Sequence, residues 1–475
     1  MCAFTTSPGL LKGLGVCTHL ERRKIGWKAE SLIPLIQDMG ASLVRQGIVW
    51  SSVEKEKGAY AIPEVSRDWV TRAANAGLGI IPILCYGNEL YENKLDPDAY
   101  ANYCRYMARE LKDFPIVAYE IWNEPTNFQF LKQCGGAWSA SPPCEWADRF
   151  CELLAKGAAA IREVDDETPI ITNPGECQFA HMARSHPEAF AQVDGVSHHS
   201  YPMRFPPETT PWGGAQILER DGIAAADDRH SFESLWTTAQ EHARASLGRE
   251  IQLYMTEYGY STYNHRRKPA IFCGYTEHAQ AAYLVRGVVL SLCSGLRASC
   301  LYDFMDDGVN PFDAEENFGM VRHEKRGFEK KPSYFALQRL AGMLGAEWEQ
   351  IGEPPAKLEV EDVPLSANED EWQQNAMPLE KYVQIEGPTV KWFAVGKERI
   401  ALVWNAGRLD AEFNPPLGRM VWDGAPASAT VEVQNVVTGA TVPVSVARDG
   451  EALVVNDLPV SGELLAVRCR DGGGA

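Results

Sequence analysis

The stretch Pro115-Ile-Val-Ala-Tyr-Glu-Ile-Trp-Asn-Glu-Pro125 carries the clearest structural signal in this chain. Its apolar residues predict a buried strand over 115–123, and the Glu-Pro pair that follows stops the strand. A second stretch, Ile251-Gln-Leu-Tyr-Met-Thr-Glu-Tyr-Gly259, has the same form, with Glu257 at the end of its strand. Parallel α/β barrels carry their functional side chains at the carboxyl ends of the strands. We therefore expect Glu124 and Glu257 to lie at one rim of one barrel.

Strand and helix patterns alternate on either side of these stretches, from about residue 12 to residue 343. Eight strands are predicted, at 13–18, 43–50, 79–86, 115–123, 169–173, 195–200, 251–256 and 298–304. Helices are predicted at 29–40, 65–76, 97–112, 145–164, 231–247 and 276–294, with a last helix at 333–344. Strands spaced by helices indicate a parallel sheet, and eight such rounds predict an α/β fold closed into a (β/α)8 TIM barrel.

An open, doubly wound sheet is the alternative for alternating strands and helices. Such a sheet would carry Gly-x-Gly-x-x-Gly directly after its first strand. The residues there are Gly13-Leu-Gly-Val-Cys-Thr18, which lack the third glycine. The barrel is therefore the preferred interpretation.

The sequence changes in character after about residue 345. We predict that the barrel spans 1–345, a partly irregular connector rich in acids and prolines spans 346–388, and a C-terminal β-sandwich domain spans 389–470. The sandwich is predicted from short β-type runs at 390–395, 400–404, 430–436, 441–446 and 463–467, which glycine and asparagine divide.

Composition excludes several classes of partner. The 475 residues carry a formal net charge of −19, whereas nucleic acids and anionic membranes attract basic surfaces, so we expect neither as a partner. No run approaches the roughly 20 apolar residues of a membrane span. The first residues lack the pattern of an export signal, which favours a cytoplasmic protein, with a secreted or periplasmic location as the alternative if a signal was removed. The sequence leaves the oligomeric state open.

Cysteine and histidine patterns predict no metal site and no other cofactor. The twelve cysteines are scattered and form no Cys-x-x-Cys pair, and the histidines lack the spacing of zinc ligands. Cys134 and Cys144 flank a loop, and the sequence leaves open whether they form a disulfide.

Two carboxyl groups that flank one bond can hydrolyse a glycoside. One protonates the leaving oxygen, and the other stabilises or captures the oxocarbenium-like carbon. A separation of about 5–5.5 Å permits direct attack with retention, whereas about 6.5–9.5 Å leaves room for a water molecule and gives inversion. The fourth and seventh strands of an eight-stranded barrel can bring two side chains to the shorter distance.

The motifs around both glutamates resemble those of the retaining glycoside hydrolases of clan A. They are Trp122-Asn-Glu-Pro125, His199-Ser-Tyr-Pro202 and Thr256-Glu-Tyr-Gly259, which follow the fourth, sixth and seventh strands. Segments at 50–60, 302–304, 317–319 and 331–334 resemble family 39 most, with family 5 next. The resemblance covers roughly the first three quarters of the chain. It implies that the chain cleaves O-glycosidic bonds of a β-linked oligosaccharide, polysaccharide or glycoside by double displacement.

The resemblance implies a role for each matched residue. Glu124 would be the acid/base, Glu257 the nucleophile, and Asn123 a ligand of the sugar 2-hydroxyl. Arg45 beside Glu257 would lower the pKa of that carboxyl, whereas an apolar, like-charged setting would raise the pKa of Glu124.

Three residues would support these carboxylates. Tyr201 would donate a hydrogen bond to Glu257, and His199 and Arg45 would buttress both glutamates. Arg45 lies inside an apolar strand and must therefore find a carboxylate partner, which is either catalytic or structural. His199 is either a site residue or a core histidine whose hydrogen bonds are satisfied.

Four further residues follow predicted strands and are candidates for contact with substrate. They are His19 after the first strand, Trp50 after the second, Asn88 after the third and Asp303 after the eighth. Many clan members carry a tryptophan after the eighth strand. Asp303 is a departure from that pattern, which puts the sugar-stacking surface of the reactive subsite in doubt.

The expected partner is therefore a carbohydrate substrate. Two alternatives remain on the same fold: a carbohydrate-binding protein without turnover, and a transglycosylase that passes the same intermediate to a sugar. The sequence decides neither the sugar and linkage nor whether the chain acts at the ends or within a polymer.

Overall fold

A closed barrel of eight parallel strands forms the first part of the protein. The computed structural model describes residues 5–127, 129–264, 273–360, 385, 387–407, 409 and 415–470. The barrel strands are β1 Leu11–Cys17, β2 Ala41–Val49, β3 Gly79–Cys85, β4 Tyr119–Ile121, β5 Ile170–Thr172, β6 Gly195–His199, β7 Gln252–Tyr258 and β8 Ser299–Leu301. Pairing of β1 with β8 closes the sheet, which confirms the predicted TIM barrel.

A helix follows each barrel strand. The eight helices are α1 Ala29–Met39, α2 Glu64–Asn75, α3 Pro97–Leu111, α4 Glu145–Arg162, α5 Glu176–Ser185, α6 Phe232–Leu247, α7 Glu277–Cys293 and α8 Pro332–Leu344. Shorter helices at Trp50–Val53, Phe130–Cys134 and Gly214–Asp221 lie in loops after β2, β4 and β6. The helix α5 was not predicted.

Local sequence explains where these elements begin and what they bury. The strand β3 is a continuous apolar run with every residue buried, as in a parallel strand that is covered on both faces. The helix α3 begins at Pro97, and the side chain of Asp96 accepts hydrogen bonds from two of its first backbone N–H groups. The inside of the barrel is filled by a small cluster consisting of Cys17, Leu43, Ile81, Ala118, Ile171, Tyr254, Ala298 and Cys300.

Two antiparallel sheets form the C-terminal sandwich. Their strands are β9 Glu349–Gln350, β10 Ala356–Val360, β11 Gly387–Val395, β12 Glu398–Ala406, β13 Leu417–Trp422, β14 Thr430–Asn435, β15 Ser445–Asp449, β16 Ala452–Pro459 and β17 Leu465–Arg470. One sheet has the order β9-β11-β12-β17-β14 and the other β10-β13-β16-β15. The predicted connector, 346–388, contributes β9 and β10 to these sheets, and its residues 361–384 and 386 lie outside the described residues. The exact domain boundaries stay a prediction.

A buried ion pair joins the barrel to the sandwich. Two N–H groups of the Arg286 guanidinium, on α7, donate to the two carboxylate oxygens of Glu208. Trp404 of β12 donates its indole N–H to the same carboxylate at 2.8 Å, and Arg286 donates to the carbonyls of Gly407 and Gly462. The helix α7 is therefore covered on both sides, which explains why nearly all of its residues are buried.

The structure also shows the length of the helices and the state of the Cys134 and Cys144 thiols. Within the described residues, no helix combines the length and apolar character that a bilayer crossing requires. Cys134 and Cys144 are both free thiols, so the disulfide left open by the sequence is not formed.

Candidate active site

Glu124, His199 and Glu257 meet at the carboxyl-end rim of the barrel. Nδ1 of His199 lies 2.6 Å from Oε1 of Glu124 and 3.5 Å from Oε2 of Glu257. A carboxylate oxygen of Glu124 lies within 4.8 Å of one of Glu257. Their side chains are 21% and 13% exposed, so both remain open to solvent. The two carboxyl groups are therefore close enough to flank one bond.

An unusual backbone conformation aims Glu124 at this gap. Trp122 and Glu124 have φ angles of 66° and 44°, in the left-handed region that residues other than glycine avoid. Such conformations cost about 1–3 kcal/mol each and occur where surrounding structure holds them. Here the fully buried ring of Trp122 packs edge-on against Phe130 at 4.9 Å. This packing fixes the turn that carries Glu124.

Arg45 links both sides of the site from beneath. Its guanidinium donates to Glu120 at 2.5 Å, to Glu257 at 2.7 Å and to the side-chain carbonyl of Asn123 at 2.8 Å. Glu120 is fully buried and accepts further hydrogen bonds from Ser197 and Thr256, which fill its second oxygen. Arg45 therefore has two carboxylate partners. Glu120 is a structural partner inside the barrel, and Glu257 is a partner at the rim.

Tyr201 and Tyr86 complete the contacts around the two carboxylates. The hydroxyl of Tyr201 donates to Oε2 of Glu257 at 2.8 Å, as predicted. The amide of Asn123 donates to the hydroxyl of Tyr86 at 3.2 Å while its carbonyl accepts from Arg45. Both ends of the Asn123 amide are thus held, which fixes its orientation beside Glu124.

His199 reverses the expected pKa shift of Glu124. Burial alone would raise the pKa of Glu124, but the hydrogen bond and charge of His199 and the hydrogen bond from Asn127 lower it overall. Burial alone would lower the pKa of His199, but the charges of Glu257 and Glu124 and the hydrogen bond to Glu124 raise it overall. The predicted rise for Glu124 is therefore wrong, because the imidazole lies between the two carboxylates.

Four predicted site residues lie away from this gap. Trp50 is fully buried, stacks on Tyr103 and donates its indole N–H to Glu54, so it has no free face for a sugar. The side chain of Asn88 is buried and bonds to backbone atoms of Glu54 and Leu90. His19 and Asp303 lie next to each other behind Tyr302, and Asp303 has no exposed surface. The structure thus does not bring these four to the two glutamates.

Two acids close to the site were not predicted from the sequence. Glu120 lies inside an apolar strand, and its charge could have been matched with that of Arg45 from residue type alone. Glu176 begins α5, and burial raises its pKa to about 7, with a further contribution from the charge of Glu124. No motif marks Glu176.

A surface cavity of about 410 Å³ is lined by Ala137, Trp138, Ser139, Trp212, Arg220 and Asp221. The helix α5 contacts its lining, because Gln178 donates to the backbone carbonyl of Trp138. The rings of Trp138 and Trp212 stack at 6.1 Å, and the guanidinium of Arg220 lies 5.3 Å from the Trp138 ring. The cavity therefore has one aromatic wall.

Comparison with known proteins identifies both a family and a fold. The sequence model described as Cellulase (glycosyl hydrolase family 5) matches residues 7–285, more than half of the chain. A comparison with curated proteins finds no match.

Solved structures of glycoside hydrolases share the fold. A family 39 glycoside hydrolase from Bacteroides cellulosilyticus has a TM-score of 0.66 and 20% identity, over 96% of this chain and 80% of that chain. A glucosidase from Croceicoccus marinus has a TM-score of 0.58 and 11% identity, over 98% of this chain and 97% of that chain. The catalytic domain of family 30 xylanase C from Talaromyces cellulolyticus has a TM-score of 0.53 and 11% identity, over 98% of each chain. At these identities the likeness is one of fold.

Proposed function

Since this chain belongs to glycosyl hydrolase family 5, the cellulase family within clan A, we propose that it is a retaining hydrolase of β-glycosides. The chain is a glycoside hydrolase of clan A, and its substrate is a carbohydrate. The observation that carries the finer proposal is the pair of carboxylate oxygens of Glu124 and Glu257, which lie within 4.8 Å of each other. This upper limit lies below the about 6.5–9.5 Å of inverting enzymes and fits the shorter separation, about 5–5.5 Å, at which one carboxylate attacks directly.

The first half of the reaction transfers the sugar to the protein. A carboxylate oxygen of Glu257 attacks the anomeric carbon, the bond to the leaving oxygen breaks, and that oxygen takes a proton from Glu124. Arg45 and Tyr201 hold Glu257 through one hydrogen bond on each oxygen. They therefore fix the direction in which Glu257 attacks.

The second half releases the sugar. Glu124, now a carboxylate, takes a proton from a water molecule, whose oxygen attacks the anomeric carbon and displaces Glu257. Two successive inversions give overall retention. Asn123, which Arg45 and Tyr86 hold in one orientation, is placed to bond the sugar 2-hydroxyl in both steps.

Glu124 and His199 share the proton that the first half requires. In the free protein the lowered pKa of Glu124 and the raised pKa of His199 place that proton on the imidazole. A bound sugar excludes water and favours the neutral form of the pair, because two opposite charges are then removed from a poorly solvated site. Transfer of the proton along their 2.6 Å hydrogen bond leaves Glu124 protonated, as a general acid must be.

Replacing His199 by Asn is expected to move the alkaline limb of the pH–rate profile to lower pH. In the native protein, activity falls when the shared pair loses its one proton, and the raised pKa of His199 places this loss above about 6.5. Without the imidazole, the proton resides on Glu124 alone, and this carboxyl should lose it at lower pH because, unlike Glu176, its side chain is partly exposed to solvent. The measurement is kcat/KM for an aryl β-glycoside as a function of pH. An unchanged alkaline limb would contradict the shared proton.

Replacing Glu124 by Ala is expected to make the rate depend steeply on the leaving group. Hydrolysis of glycosides with poor leaving groups should fall by about 10²–10⁴-fold, since general acid catalysis is lost. A dinitrophenyl glycoside needs no protonation and should keep a rapid first step, measured as the burst of dinitrophenol. Glu176→Gln is the matched control, because Glu176 is a neighbouring buried acid with a pKa of about 7. If Glu176→Gln shows the steep dependence instead, Glu176 is the acid.

We propose that the leaving group extends toward the cavity lined by Trp138 and Trp212. The acid protonates the leaving oxygen, so the departing part of the substrate lies on the side of Glu124. The stacked rings of Trp138 and Trp212 provide a flat apolar surface in that cavity, of the kind on which sugar rings and aryl groups pack.

A panel of aryl α- and β-glycosides tests the proposed function directly. The expected result is hydrolysis of at least one β-glycoside and of none of the matching α-glycosides. Sugar binding without turnover on the whole panel would favour a carbohydrate-binding protein. Transfer to added sugars in preference to water would favour a transglycosylase.

A further inference from the structure

A second group of metal-type donor atoms lies behind the rim, where β1 and β8 close the barrel. His19 follows β1 and Asp303 follows β8, and these strands pair side by side. Nε2 of His19 lies 3.9 Å from Oδ2 of Asp303. A carboxylate oxygen of Asp307 lies within 4.8 Å of donor atoms on both. Three side chains thus converge on one small volume.

Asp303 is buried with no partner for its carboxylate. Its side chain has no exposed surface, and within the described part of the chain neither of its oxygens has a hydrogen-bond partner. Nε2 of His19 is likewise buried without a partner, and 3.9 Å is too long for a hydrogen bond between the two side chains. Carboxylates that are buried in proteins are paired with a charge or coordinate a metal.

The charges around this volume favour a cation. The carboxylates of Asp306, Asp307 and Glu315 and the ammonium of Lys331 act on Asp303, and Lys331 is already bonded to Asp306 at 2.7 Å. The guanidinium groups of Arg22 and Arg45 act on His19. An ionised Asp303 therefore sits in a negative field.

We propose that His19, Asp303 and Asp307 bind one divalent transition-metal ion of the zinc or manganese class. Imidazole and carboxylate ligands bind such ions at about 2.0–2.2 Å, so the ligand atoms of a tetrahedral ion lie about 3.4 Å apart. The 3.9 Å between Nε2 of His19 and Oδ2 of Asp303 exceeds this by about half an ångström, which a small side-chain rotation removes. Calcium and magnesium take oxygen ligands, whereas an imidazole nitrogen with two carboxylates suits zinc or manganese.

Neighbouring side chains already orient the ligands. The indole N–H of Trp27 donates to Oδ1 of Asp307 at 2.5 Å, and an ion on Oδ2 would replace the exposed 3.3 Å contact of that oxygen with Arg22. The ring of His19 packs edge-on against both Trp27 and Tyr302. Both contacts restrict these side chains before an ion binds. Less conformational entropy is therefore lost on binding.

The ion would be structural and distinct from the reaction gap. It would tie the ends of β1 and β8 together behind Tyr302, whose ring packs against Tyr201 at 6.1 Å. Tyr201 in turn donates to Glu257. The site therefore supports the wall behind the nucleophile and takes no part in the double displacement itself.

Titration of the full chain, stripped of metal with EDTA, tests the site. Isothermal titration calorimetry with ZnCl₂, and separately with MnCl₂, is expected to show one ion bound per chain with micromolar or tighter affinity. The loaded protein should unfold at a higher temperature, because the ion binds only the folded state. Asp303→Asn is expected to weaken metal affinity at least about 100-fold. Removing a residue that only hydrogen-bonds to a ligand costs about 10–100-fold, and removing a ligand itself costs more.

Glu257→Gln is the matched control, because Glu124, His199 and Glu257 form another group of metal-type donors. This variant should bind zinc as the native protein does. Should Asp303→Asn fail to fold, Asp307→Asn, at a partly exposed ligand, must show the same loss of binding. The proposal is overturned if neither ion binds, if calcium binds more tightly than both, or if Glu257→Gln abolishes binding while the Asp303 or Asp307 variant retains it.

Discussion

Glu257→Ala is expected to lose at least about 10⁴-fold in kcat, because the nucleophile of the double displacement is gone. The fold should survive, since Glu257 lies at the rim with 13% of its side chain exposed. Added azide should restore part of the activity, because it can attack the anomeric carbon from the face that Glu257 has vacated. The product from a β-glycoside is then an α-glycosyl azide, with inverted configuration. Product release and azide incorporation are measured together by NMR.

The matched control for this prediction is Glu315→Gln. Glu315 is a neighbouring carboxylate that accepts a hydrogen bond from Tyr302 at 3.2 Å and has no part in the proposed reaction. It should keep most of the native activity and show no response to azide. Ordinary activity in Glu257→Ala, or azide rescue confined to the Glu315 variant, would show that the roles are assigned to the wrong residue.

Arg45→Met is expected to lower the free energy of unfolding by about 3–5 kcal/mol and to abolish activity. Removing one member of a buried ion pair leaves the other charge without compensation, which costs about this much. Here Glu120 stays fully buried, and Glu257 loses one of its two fixing hydrogen bonds. Urea unfolding at neutral pH measures the loss of stability, and hydrolysis of an aryl β-glycoside measures the loss of activity.

The double variant Arg45→Met with Glu120→Gln separates the two consequences. Stability should recover in part, because the neutral amide that replaces the Glu120 carboxylate would leave no buried charge unpaired. Activity should stay low, because Glu257 still lacks its guanidinium partner. Neighbouring residues of one network are expected to behave in this non-additive way. A loss of less than about 1 kcal/mol in Arg45→Met would mean that the network contributes little to the fold.

The barrel could be predicted because its strands carry their own signals. The strand β3 is an uninterrupted apolar run, and α3 has a capping aspartate followed by proline. The helix α5 was missed because its polar residues Glu176, Gln178 and His181 are buried with its apolar ones, which erases the helical period in the sequence. In the sandwich, β13 and β16 were missed, and Asp457 inside β16 has a φ of 63° that breaks the strand pattern.

The two glutamates could be predicted, but their electrostatics could not. Position after a strand and the flanking motif identify Glu124 and Glu257. The pKa of Glu124 depends on where the His199 ring points, and this is fixed only when three strands meet. Trp50 and Asn88 occupy equivalent positions after strands, but their loops turn them toward Glu54 and away from the gap. Position along a strand therefore places a residue near the rim without deciding which way its side chain faces.

The anomeric configuration of the first product distinguishes direct attack by Glu257 from attack by water. A β-glycoside cleaved by the panel assay is hydrolysed in deuterated buffer, and ¹H NMR follows the anomeric protons before mutarotation. If Glu257 attacks while Glu124 protonates the leaving group, the β-anomer appears first and the α-anomer follows. Initial release of the α-anomer would contradict direct attack by Glu257, because it would require a water molecule between the carboxylate and the sugar.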